Sequence, residues 1–141
     1  MAMTSNVTLR GTSLHEGRFT FNLVHTLAAG VSTDTLMGLA VSIDTTANNA
    51  VHLAGDGEAI IGAIFGPPEV DMQGNMVCTV DTLGGIEMQV LAADPATRGT
   101  TPVGAGGGKI KAGPSLTDKR VWIASNAGLT SAARTATVMF L

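Results

Sequence analysis

Arg18-Phe19-Thr20-Phe21-Asn22-Leu23 alternates polar and apolar residues over six positions. A period of two is the mark of a β-strand with one face on a core, because successive side chains point to opposite sides. The same rhythm recurs along the chain. Leu39, Val41 and Ile43 alternate with the smaller Gly38, Ala40 and Ser42, and Val51 and Leu53 flank His52. Met76, Cys78 and Val80 interleave with Val77 and Thr79, and Ile86, Met88 and Val90 with Glu87 and Gln89. Near the end, Ala136, Val138 and Phe140 alternate with Thr135, Thr137 and Met139. No window offers an i, i+3, i+4, i+7 apolar face free of glycine and rich in helix formers. The chain is therefore predicted to be all-β.

The separators fit strands as well. Residues 44–49 form a polar loop, and Gly55-Asp56-Gly57-Glu58 reads as a tight turn whose glycines supply positive φ. Leu83-Gly84-Gly85 is predicted to close a hairpin between Met76–Val80 and Ile86–Leu91. Short strands at close spacing predict a small β-barrel or β-sandwich. With 141 residues the chain suits one domain. That domain is placed at 18–141, behind an extended N-terminal arm, 1–17, whose apolar residues are mainly Val7, Leu9 and Leu14. Residues 94–108, ending in Gly104-Ala105-Gly106-Gly107-Gly108, read as a long surface loop of small residues. The final Val138-Met139-Phe140-Leu141 has no polar tail and reads as a strand paired in a sheet or held by a partner. Trp122, within Arg120-Val121-Trp122-Ile123-Ala124, fits either core or interface, and the core is the favoured reading.

Composition narrows the function. Charged residues are 13% of the chain against 45% apolar ones, and mean hydropathy is +0.31. Such low charge has two readings: neighbours cover apolar surface, or Thr, Ser, Asn and Gly cover it within the monomer. The net charge of −3 and the scattered eight Lys and Arg give no footprint for nucleic acid. The most apolar run, Ala59 to Phe65, stops at Gly66-Pro67-Pro68, far short of the ~20 residues that span a bilayer. Met1 to Asn6 lacks the basic and apolar regions of a secretory signal, so Asn6-Val7-Thr8 is read as a chance glycosylation match. One cysteine, Cys78, excludes an internal disulfide.

Motifs for chemistry are missing. Gly104 to Lys109 resembles a phosphate loop only superficially, since a Walker loop needs glycine at Val103 and Ser or Thr at Ile110. No dinucleotide fingerprint or G-x-S-x-G elbow occurs. His15, His25 and His52 show no H-x-x-x-H spacing and belong to no Cys/His cluster, so no metal is expected. Cys78 alternates with Met76 and Val80 and reads as a buried small hydrophobe. Asp56 and Glu58 lie in a turn, more suited to solvation than to catalysis, and they fall short of a calcium loop. The expectation is a protein without catalytic residues or cofactors.

Several stretches in order carry a resemblance. Gly38-Leu39-Ala40-Val41-Ser42-Ile43-Asp44, then Val51 to Gly57, then Ile60-Ile61-Gly62-Ala63-Ile64, resemble the capsid cement (head decoration) proteins of tailed bacteriophages. Thr79 to Gly85 is similar to their central hairpin, Pro102 to Gly113 to their small-residue loop and next strand, and Ala136 to Leu141 to a short last strand. The likeness covers roughly residues 36–141 and rests on strand rhythm and glycine placement. It implies a structural protein on the outer surface of an expanded shell, assembled in the host cytoplasm, commonly as a dimer or trimer. Its partner would be the phage major capsid protein, with no nucleic acid and no membrane. The candidate shell or subunit contacts are Leu9, Arg10 and Leu14 in the arm, with Met139 and Leu141 at the end. Two alternatives come from other classes. One is a receptor- or carbohydrate-binding β domain of a virion fibre, for which one Trp, no Tyr and four Phe are a thin aromatic supply. The other is a small-barrel enzyme with dispersed catalytic residues.

Overall fold

A computed structural model of the chain describes residues 17–128 and 134–141. The proposed arm, with Leu9, Arg10 and Leu14, lies outside the described residues except for Gly17. The chain is all-β, as its alternation demands. Its strands are β1 (Arg18–Leu23), β2 (Ala40–Asp44), β3 (Ala50–Leu53), β4 (Gly62–Val70) and β5 (Met76–Asp81). They continue as β6 (Gly84–Gln89), β7 (Pro102–Gly106), β8 (Lys109–Ala112), β9 (Val121–Gly128) and β10 (Thr135–Phe140). Between β1 and β2 lies a single 3-10 turn, Thr33–Leu36, whose entry is capped by the Ser32 hydroxyl accepting from the Asp34 N–H.

The first five strands form a closed barrel in the order β1-β3-β2-β4-β5. Closure comes from the antiparallel pairing of β1 with β5, in register from Arg18↔Asp81 to Leu23↔Met76. Its interior holds Leu23, Leu36, Leu39, Val41, Val51, Ile64, Met76, Cys78 and Val80. The remaining strands make a three-stranded sheet, β6-β10-β9, and the β7–β8 hairpin, tied together by a parallel bridge from Val90 to Ile110. They enclose a second apolar cluster that includes Met88, Ile110, Ile123, Val138 and Phe140, and Ala40, Ala54, Ile60 and Ala63 of the barrel side close it. The small side chains along that boundary let the two cores approach.

Several sequence expectations need correction. Met76–Val80 and Ile86–Leu91 do not form a hairpin: β5 pairs with β1 and β4, and β6 pairs with β10. The Leu83-Gly84-Gly85 link, with Gly84 at φ 88°, carries the chain from the barrel to the second sheet instead. Residues 94–108 are not one surface loop, because Pro102–Gly106 is β7 and both Pro102 and Gly104 are buried. The strand that holds the apolar run, β4, continues through Gly66-Pro67-Pro68, with a register shift between Phe65 and Glu69. Trp122 is half-buried and sits opposite Met139, on the face away from the core pair Ile123↔Val138.

Two residues counted on inner faces are exposed. Phe19 is 53% exposed because β3 reaches β1 only at Asn22 and Leu23, leaving the start of β1 uncovered on that side. Ile43 is 60% exposed because β2 pairs with β4 only through Ala40 and Val41. Its neighbour Ser42 is buried instead, its hydroxyl satisfied by donating to the Ala59 carbonyl at 2.7 Å.

Candidate functional site

The chemistry-bearing side chains converge at one place. His52 on β3 lies between Asp44, at the end of β2, and Glu58, in the turn after β3. The antiparallel register Ser42↔His52 and Asp44↔Ala50 brings the first pair together, and the bend at Gly55–Gly57 returns Glu58 to the ring. His52 Nδ1 is 3.1 Å from Asp44 Oδ2, and Nε2 is 2.8 Å from Glu58 Oε1. The bond to Glu58, and behind it that to Asp44, hold the imidazole above its ordinary pKa against partial burial. Asp44 is held below the ordinary carboxylate range, chiefly by the Thr46 hydroxyl and N–H, and Glu58 chiefly by the Gly55 N–H. Ser42 is the cross-strand neighbour of His52; its hydroxyl donates to the Ala59 carbonyl and also bonds Glu58, which helps to lower that carboxyl. Both ring nitrogens face carboxylates, an arrangement that clamps the turn to the barrel. Among the described residues, no group of three His, Cys, Asp or Glu is placed to hold a metal ion.

Cys78 points into the barrel and is buried, and that burial pushes its thiol up to about 11. Native protein at pH 8 is expected to alkylate at least about a hundredfold more slowly than free cysteine, since the thiolate is the nucleophile. A thiol assay in buffer and in denaturant checks this, with rapid reaction only after unfolding.

The surface carries a further set of candidate functional residues. Among the described residues, twelve large apolar side chains are exposed, from Phe19 to Leu141. Three groups stand out by position. At one end of the β6-β10-β9 sheet, Met139 pairs with Trp122 and with Gly85, and Leu141, 66% exposed, follows in the same strand direction with its N–H donating to the Arg120 carbonyl. On the barrel wall, Phe65 carries the Arg18 guanidinium at 3.8 Å from its ring centroid, and Arg18 is paired with Asp81 at 2.7 Å. At the β4–β5 hairpin tip, Val70 precedes Met72, which is 99% exposed. Asp71 fixes that tip by accepting from the N–H groups of Gln73 and Asn75. The fold thus brings Met139 near Leu141 and adds Trp122 to them. Sequence reasoning did not single out Met72, although its setting between Asp71 and Gln73 in a polar turn signals exposure.

No family model, curated protein or solved structure matches this chain.

Proposed function

We propose that this chain is a structural virion protein that binds the outer surface of a tailed-phage capsid and stabilises the shell, with the major capsid protein as its partner and sister copies beside it. The observation that carries the reading is the apolar exterior: large hydrophobic side chains exposed on a barrel wall, at one end of the second sheet and at a fixed hairpin tip, on a chain with 13% charged residues. Covering such side chains contributes roughly 25 cal/mol per Å² of apolar area removed from water. A surface-binding protein needs shape and apolar contact and no reacting group. The ordered resemblance over residues 36–141 supports the same reading.

The exposed Phe19 and Phe65 are the features that favour the fibre-domain alternative, since sugars stack on aromatic faces. Arg18 already lies over the Phe65 ring, so that platform is occupied. Silence on a glycan array is the expected result.

The test is binding to purified, expanded, undecorated shells. Leu141→Asp, at an exposed position, is expected to weaken binding about tenfold or more while leaving the melting temperature nearly unchanged. Deleting residues 1–17 is expected to weaken binding with the β core still folded. Normal decoration by the truncated chain would remove the arm from the contact surface.

A further inference from the structure

The Gly55–Glu58 turn joins two parts of the fold. Gly57 N–H donates to the Gly104 carbonyl and Gly104 N–H to the Glu58 carbonyl, each at 2.8 Å, so β7 is strapped to the turn by a reciprocal backbone pair. From the barrel side the turn is held by a side chain. Glu58 Oε1 accepts from the Gly55 N–H at 2.7 Å and meets His52 Nε2 at 2.8 Å, while His52 Nδ1 meets Asp44 Oδ2 at 3.1 Å. Only an imidazolium donates from both nitrogens. A neutral ring keeps one N–H and turns a lone pair toward the other carboxylate.

We propose that His52, with Asp44 and Glu58, is a proton-operated latch on the joint between the barrel and the β7–β8 hairpin. It is closed while the imidazole holds its second proton and loosened once that proton leaves. Every element packed beside the ring agrees. β2 presents Asp44 and the uncharged Ser42, whose hydroxyl donates to the Ala59 carbonyl and also bonds Glu58. The turn presents Glu58, and its other carboxylate, Asp56, is taken by Lys111 Nζ of β8 at 2.6 Å. β1 carries one charged residue, Arg18, which is paired with Asp81.

The direction with pH follows from the shifts. His52 is raised, so the latch contributes fully below the ordinary imidazole value of about 6.5 and is lost as pH climbs through the raised value. Asp44 and Glu58 are lowered, so their contribution is present above the ordinary carboxylate range and is lost as pH falls through their lowered values. The latch is therefore closed from mildly acidic to about neutral pH and opens on the alkaline side.

Amide hydrogen exchange at Gly57 and Gly104, followed by NMR beside the His52 ring signals from about pH 6 to 9, tests this. After correction for intrinsic exchange, protection at both amides is expected to fall about two- to fivefold in step with the His52 titration, the scale of a partly exposed ion pair. The amides of the core residues Val80 and Val138 should hold. His52→Gln should flatten the profile. Glu58→Gln, which removes a carboxylate from the ring, should move the profile to lower pH and serves if the first variant fails to fold. Flat protection in the wild type, a fall shared with Val80 and Val138, or a profile unmoved in Glu58→Gln would each overturn the latch.

Discussion

Gly104→Ala is expected to destabilise the protein by about 3 kcal/mol, the upper part of the range for overpacking, with a fall of roughly 10 °C in melting temperature. A Cβ on Gly104 would lie 2.1 Å from the Gly55 carbonyl oxygen and 3.0 Å from Ala54 Cβ. The first is backbone, and it belongs to the turn that Gly104 itself binds through Gly57 and Glu58. The methyl cannot be fitted by a side-chain rotation, so the turn must move and the reciprocal hydrogen bonds must lengthen. Gly85→Ala is the matched control. It is exposed, its added Cβ meets nothing nearer than Thr137 Cγ2 at 3.5 Å, and its cost should stay within about 0.5 kcal/mol. Thermal unfolding of the two variants beside wild type checks the pair. Equal melting of Gly104→Ala and wild type would mean that β7 does not lie against the turn.

Ile110→Ala is expected to cost about 2–5 kcal/mol in urea denaturation. Ile110 is fully buried, lies on β8, and bridges to Val90, the residue just after β6. It therefore joins the hairpin to the three-stranded sheet, and its loss leaves a cavity among Met88, Ile123 and their neighbours. Ile43→Ala removes the same atoms from a position 60% exposed, where the effect should be under about 1 kcal/mol. In the sequence, both isoleucines occupy apolar positions of alternating segments. The difference between them is a statement about the fold, and equal losses would contradict it.

How much of this was legible beforehand depended on whether burial arises from side chains or from their absence. β1, β2, β3, β5, β6, β8 and β10 carry apolar residues every second position, and their period of two is visible without a partner. β7 is different. Within Pro102-Val103-Gly104-Ala105-Gly106, Pro102 and Gly104 are buried, and Gly104 lies against the turn because it has no side chain, so close approach of backbone replaces an apolar stripe. The failed hairpin has another cause. Leu83-Gly84-Gly85 supplies the local bend that a hairpin and a crossing share, while the partners of β5 lie at 18–23 and 62–70, remote in sequence.

The site divides in the same way. Burial of Cys78 followed from its strand position. The His52 cluster did not, since Asp44, His52 and Glu58 have no motif spacing and meet only through the β2–β3 register and the turn. Met139 and Leu141 were legible as terminal apolar residues, whereas the pairing of Met139 with Trp122 required knowing that β9 and β10 are neighbours.

The most direct test of the proposed role is co-sedimentation of purified protein with expanded, undecorated phage shells, titrated to saturation alongside the protein's mass in solution. Saturation at a fixed ratio to capsid subunits, with shells that withstand more heat once covered, is the predicted result. Absence of saturable binding to cognate shells would contradict it.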